Sequence, residues 1–309
     1  MASNSCDVVV IGSCNMDMTV RCTDLPIPGQ TILGSGFYSN PGGKGANQAV
    51  ACAKLGASTE LVARVGDGMF ADRFEKGYDN VGLGRQYLIR DPSIASGTAL
   101  IFVDSQGENM IVVAPGANEK LTPADVDAAL PAIEKAKVMI LQLEIPMETV
   151  LHAASLATKF GLKVILNPAP VRALPAALLE QVDIMVANEV ETMILSGASE
   201  VDTSTAAQAC RPLLEKGVKH IITTLGKDGA VITSGDGATK VRGFRVNAID
   251  TTSAGDTFVG ALACGLTEGQ SLENAVLFAN AAAALACTKV GAQQSMPTRA
   301  EVDEKLGTH

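Results

Sequence analysis

The stretch "VVVIGSCNMDM", residues 8–18, decides how the chain is read. Val8, Val9, Val10 and Ile11 form an uninterrupted β-branched run, too short for a helix and apolar on both sides, as a strand buried in a parallel sheet is. The turn that follows lacks the G-x-G-x-x-G spacing, which removes support for a dinucleotide-binding dehydrogenase. Asn15 and Asp17 stand in its place, just beyond the strand's carboxyl end, where open α/β sheets bind ligands. A carboxylate there accepts hydrogen bonds from two neighbouring hydroxyls, as a sugar or polyol presents them. The same pair in isolation serves equally well as turn formers.

The rhythm of that first strand recurs along the chain. Strands are expected at 7–11, 59–64, 138–143, 163–166, 184–186 and 220–224, with helices at 45–55, 147–159, 205–216, 255–266 and 272–287. Strands alternating with helices in this way predict an α/β fold with a mainly parallel sheet in a single domain, residues 1–309. Residues 16–39 and 96–113 break the pattern. They alternate apolar and polar positions between Gly, Pro and Asn turns, as half-exposed antiparallel strands do, and predict a small inserted sheet standing off the main body as a lid.

Composition narrows the function. With 309 residues, of which 47% are hydrophobic, the chain can bury a substantial core. A formal net charge of -9 argues against nucleic acid or an anionic membrane as the main partner, since both require a basic surface. The seven cysteines contain no C-x-x-C pair and read as reduced, buried thiols of a cytoplasmic protein. The start of the chain lacks the basic flank and apolar core of a signal peptide, and no apolar run reaches the roughly 18 residues of a membrane helix.

Two glycine-containing segments carry the chemistry. In "NPGGKGANQAVACAKLGA", residues 40–57, Gly42, Gly43 and Gly45 open a helix whose free N–H groups favour polar or anionic ligands. Lys44 is followed by Gly45 instead of Ser or Thr, so this is not a Walker A loop. In "NAIDTTSAGDTFVGALACGL", residues 247–266, Ala254 and Gly255 begin a second helix and Asp256 sits at its mouth. Backbone amides for an anion beside a carboxylate able to take a hydroxyl proton are the two requirements of phosphoryl transfer. An acidic helix cap, stabilising by roughly 1 kcal/mol, explains one aspartate but not both Asp250 and Asp256. Further polar strand ends occur at Glu144, Asn188 and Thr224, with Gly226 and Gly229 in the turn beyond. Glu191 also fits a capping box with Asn188. His152, His220 and His309 join no constellation and no G-x-S-x-G elbow is present, so acid–base work falls to a carboxylate.

Together "NMD", "NPGGKGANQA", "NEVE", "TLGKDG", "DTTSAGDTF" and "KVGAQQSMP" resemble the PfkB family of sugar and nucleoside kinases, and within it the ribokinase group, over about residues 8–297. The resemblance implies a Rossmann-like three-layer core, a β-sheet lid through which two subunits clasp, and transfer of phosphate from ATP to the C5 hydroxyl of D-ribose. Asp256 matches the family's catalytic base, and the amides of Ala254, Gly255 and Asp256 its anion hole. Asn15, Asp17, Gly43, Lys44, Gly45, Ala46, Asn47 and Glu144 match the sugar-holding positions. Asn188, Thr224, Leu225, Gly226, Lys227, Asp228, Gly229, Gly255 and Asn280 match positions along ATP, and Glu191 the residue that organises Mg2+ and phosphate. Asp250, Thr252, Ala286, Lys289, Gly291 and Ser295 match the site of a monovalent cation, usually K+. Ser253 stands where the family commonly has alanine or glycine, and Asn280 where histidine is also common. The alternatives are a family kinase acting on a nucleoside, deoxyribose or a hexose derivative, and a catalytically silent sugar-binding regulator.

Overall fold

The computed structural model describes residues 6–307. Thirteen strands lie along the chain: β1 (Val8–Ile11), β2 (Asn15–Arg21), β3 (Gly36–Gly42), β4 (Thr59–Gly66), β5 (Leu88–Asp91), β6 (Gly97–Val103), β7 (Asn109–Ala114), β8 (Val138–Leu141), β9 (Lys163–Leu166), β10 (Ile184–Asn188), β11 (His220–Thr224), β12 (Ala230–Ser234) and β13 (Gly237–Val241). Nine of them build one sheet in the order β13-β12-β11-β10-β9-β8-β1-β4-β5. From β5 to β11 every pairing is parallel, and only the β11–β12–β13 edge runs antiparallel.

β1 lies between β8 and β4, with all four of its residues buried, which is why it reads as an unbroken apolar run. Its side chains alternate between two cores. Val8 and Val10 face a cluster with the helices Lys44–Lys54, Ala254–Thr267 and Leu272–Ala286, whereas Val9 and Ile11 face one with the helix Met147–Phe160. The sheet is thus the middle layer of three.

The remaining strands form a separate four-stranded sheet, β3-β2-β6-β7. It draws on the two stretches that break the α/β rhythm, but not all of its pairings are antiparallel: β2 runs parallel to β6, with Asn15 opposite Gly97 and Arg21 opposite Val103. Because β2 and β6 belong to separate crossings out of the main sheet, both leave it in the same direction, whereas each hairpin partner returns. Among the described residues no helix is long and apolar enough to cross a membrane. The cysteines are free thiols, buried except for half-buried Cys287.

Candidate active site

The strand ends meet two helix starts above β1 and β8. The first helix, Lys44–Lys54, begins where β3 ends, and glycine is required there for a steric reason. Gly43 has φ 91°, and a Cβ on it would lie 2.6 Å from the Asn15 nitrogen; one on Gly45 would lie 2.4 Å from the Ser13 nitrogen. Gly43 and Gly45 therefore serve the close approach of two chain segments. Ala46 is buried in the core and donates its amide to the Ser13 carbonyl.

This packing gathers the polar side chains. Glu144 Oε2 accepts from the Ser13 hydroxyl at 2.5 Å, from the Lys44 amide at 3.0 Å and from Asn15 Nδ2 at 3.5 Å. Asn15 is fixed from the other side by Asn118, whose Nδ2 donates to its Oδ1 at 2.7 Å. Asp17, on β2, is half-buried, and burial together with the nearby charges of Glu144 and Asp256 pushes its carboxyl up to about 7. Burial works to lower the Lys44 ammonium, but Asp256, Glu144, Glu191 and Asp17 outweigh it and raise it. One lysine is thus the positive centre of four carboxylates.

Asp256 is 8% exposed, in the first turn of the helix Ala254–Thr267. Its Oδ2 accepts from Asn47 Nδ2 at 3.0 Å and its Oδ1 from Gln48 Nε2 at 2.9 Å, both from the glycine-initiated helix. Each carboxylate oxygen keeps a further acceptor site for an incoming hydroxyl. Burial raises the Asp256 carboxyl despite the opposing effects of Lys44, Asn47 and Gln48. That is the direction a general base needs. The preceding residue but two, Ser253, is the only non-glycine with positive φ among the described residues, at 59°, and its hydroxyl accepts from Asn47 Nδ2 at 3.0 Å. Gly255 and Asp256 leave their N–H groups open at the helix start, as the anion pocket requires; Ala254 instead closes the turn onto the Thr251 carbonyl at 3.2 Å.

Asp250 occupies the same loop under different conditions. Burial favours a higher value for its carboxyl, yet hydrogen bonds from Thr252 and from the Gly291 amide hold it below its ordinary range. Its oxygens accept from the amides of Thr252 and Gly291, each at 2.9 Å. The loop 286–295 closes over it, with Ile249 donating to the Cys287 carbonyl. Within that loop, the Ala286 carbonyl accepts from the Lys289 amide, buried Ser295 donates to the Ala292 carbonyl, and the Lys289 ammonium pairs with Glu301 at 2.7 Å, so Lys289 offers only backbone oxygen to a cation.

Two cavities flank this loop and share Ala248 and Thr251. One, about 750 Å³, lies under the small sheet, with Asp17, Arg21, Asn40, Asp250 and Gly291 in its walls. The other, about 440 Å³, is lined by Thr224, Gly226, Lys227, Gly229, Gly255 and Asn280 among others. Most expected nucleotide-side positions therefore surround one space. Leu225 and Asp228 are outside its lining, and Leu225 packs with Val201, Ala206, Ala209 and Val231. Asn280 Nδ2 donates to the Arg242 carbonyl at 2.9 Å. Asn188 and Glu191 form the reciprocal capping box of the helix Glu189–Ser196. Ser13, Gln48, Asn118, Gln142 and Asn167 are polar residues of this region that the sequence motifs did not single out.

The pattern of the pfkB family carbohydrate kinases matches residues 6–299, and the chain belongs to that family. It is 39% identical over 300 residues to the ribokinase of Bacillus subtilis, covering 97% of this chain and 99% of that one. It is also 38% identical over 301 residues to a deoxyribokinase of Salmonella typhi, covering 97% and 98%. The solved structure of Arabidopsis thaliana ribokinase complexed with ribose and ATP superposes with a TM-score of 0.92 at 33% identity, covering 98% of this chain and 99% of that one.

Proposed function

We propose that the protein transfers the γ-phosphoryl group of ATP to the C5 hydroxyl of D-ribose, giving D-ribose 5-phosphate and ADP. The observation that carries this reading is the Asp256 carboxylate, buried and held by Asn47 and Gln48 beside the open amides of Gly255 and Asp256. In the proposed reaction Asp256 takes the hydroxyl proton as the oxygen attacks, and the two amides receive charge on the phosphoryl oxygens. Asn15, Asp17, Lys44 and Glu144 hold the pentose by its other hydroxyls. The cavity bounded by Thr224, Gly226 and Asn280 takes the nucleotide.

The donor sets suit the ions that such a reaction uses. Glu191 Oε2 accepts from the Asn188 amide, which leaves its other oxygen for Mg2+ and its water shell. Magnesium, when bound, neutralises charge across the β- and γ-phosphates. Asp250 and the carbonyls of the 286–295 loop offer only hard oxygen, the chemistry that K+ accepts. Further parts of the reading are the four-stranded sheet as a lid that excludes water, and a homodimer formed through its exposed Phe37, Leu100, Met110, Ile111 and Val112. Free thiols suit a cytoplasmic setting.

The deoxyribokinase relative supports a second reading, in which 2-deoxy-D-ribose is the substrate. A coupled ADP-release assay with D-ribose, 2-deoxy-D-ribose and nucleosides, with and without K+, separates the two. D-ribose with K+ is expected to give the highest kcat/KM; turnover only with another substrate overturns the assignment, and turnover with none supports a sugar-binding regulator.

A further inference from the structure

Behind Asp256 lies a chain of amides, Asn167, Gln48 and Gln142, of which only Gln48 touches the proposed base. Its orientation follows from one backbone carbonyl. Val186 O can only accept, so the Asn167 side chain must turn its Nδ2 toward it, at 3.1 Å. Asn167 Oδ1 then faces Gln48, which has to present its Nε2, at 3.2 Å. The same Nε2 donates to Asp256 Oδ1 at 2.9 Å. Gln48 Oε1 consequently points the other way, where Gln142 Nε2 donates to it at 2.6 Å. Reversing the Gln48 amide would set its oxygen against two acceptors and its nitrogen against a donor.

Gln142 is fully buried, and its own Oε1 has no hydrogen-bond partner among the described residues. A buried amide with an unmet acceptor is costly to keep. The fold also makes room for it: a Cβ on Gly12 would stand 2.1 Å from that oxygen. Only the N–H of Gln142 is used, and it is used to hold Gln48.

We propose that Gln48, fixed in one amide orientation by Gln142 and Asn167, is a positioning residue that aims the Asp256 carboxylate and favours its ionised form during proton transfer. This rests on Asp256 being the base. Lys44, Glu144 and Asp17 also act on that carboxylate, Lys44 favouring ionisation and the two acids opposing it. Burial is the largest influence and favours the neutral acid; Lys44, the hydrogen bond from Asn47 and the one from Gln48 oppose it, and of these Gln48 is the one fixed by a chain of amides behind it.

The experiment is the pH profile of kcat at saturating sugar and ATP for the wild type, Gln48→Met, Gln142→Met and Asp256→Asn. Saturation keeps the sugar on Asp17, so the acid limb reads the base. In Gln48→Met the acid limb is expected to move up by about one to two pH units, the equivalent of one hydrogen bond to a charged group. Gln142→Met, which touches no reacting group, is expected to move it in the same direction by less, and sugar KM is expected to stay within about threefold in both, because neither side chain meets the sugar. An unmoved acid limb in Gln48→Met, or in Gln142→Met should Gln48→Met not fold, overturns the proposal when Asp256→Asn is inactive. Near-normal turnover in Asp256→Asn instead overturns the base assignment, and the proposal with it.

Discussion

Asp250 and Asp256 share one loop and one residue type, yet the protein drives their acidities in opposite directions. Asp250 is half-buried and accepts two backbone amides, and its carboxyl is lowered; Asp256 is buried, is held by two side-chain amides, and its carboxyl is raised. The Thr252 side chain also donates to Asp250, so that carboxylate has more donors as well as a shallower seat. Desolvation at Asp256 exceeds what neutral amides and Lys44 return, whereas partial exposure at Asp250 leaves the donors in control. In the proposed function, one short segment at the start of a helix would thereby hold both an anion for a cation and a proton acceptor for a hydroxyl.

The strongest way to break this contrast is Asp256→Asn. Turnover is expected to fall by roughly 10²–10⁴-fold with sugar affinity retained, as removal of a general base predicts, measured by steady-state kinetics and calorimetry. Asp250→Asn is expected to abolish stimulation by K+ while leaving residual turnover measurable. Its cost in stability has a sign: a lowered carboxyl stabilises above its unfolded value and loses that contribution as pH falls through its folded value. The melting-temperature gap between wild type and Asp250→Asn is therefore expected to close in acid.

Asp17 sharpens the comparison because its sign is reversed. Its carboxyl stands at about 7 in the fold against 3.8 in the free residue, so the folded state holds the extra proton between those values. That contribution is complete below about 4 and lost by about 7, and Asp17→Asn is expected to gain in melting temperature relative to the wild type across that window. A constant difference from pH 4 to pH 8 would contradict it. The smallest effect belongs to Ser253→Gly, which relieves a positive φ but gives up the contact with Asn47 and adds backbone freedom; the balance is expected to lie within about 1 kcal/mol by thermal melting.

Much of the fold is legible locally. β9 and β11 match the expected strands residue for residue, and the helix Met147–Phe160 ends one residue beyond its expected limit. Buried parallel strands announce themselves as apolar runs, and that signal needs no partner. The β12–β13 hairpin is absent from the expected strands, although a two-residue Gly235–Asp236 turn joins them. The parallel β2–β6 pairing was not readable, since alternation marks a half-exposed strand and says nothing of its neighbour's direction.

The site divides along the same line. Residues in glycine-rich motifs, such as Lys44, Asn47 and Asp256, were identified from short contiguous segments. Gln48 was passed over beside Asn47, because its partners lie 94, 119 and 208 positions away, at Gln142, Asn167 and Asp256. The available signal was an amide set in the otherwise apolar run of "ANQAVACA". Asn118 gave less, since its role rests on Cys14 and Asn15, more than a hundred positions earlier.

Where the small sheet is rooted has a mechanical consequence. β2 begins at Asn15 and β3 ends at Gly42, directly before Gly43 and Lys44, while β6 begins at Gly97 opposite Asn15. In the proposed function these strand ends are both the root about which a lid would swing and the seat of the side chains that would hold the pentose. A sugar bound there would sit as a wedge at the root, so a change that stiffens or loosens the swing is expected to alter grip as well.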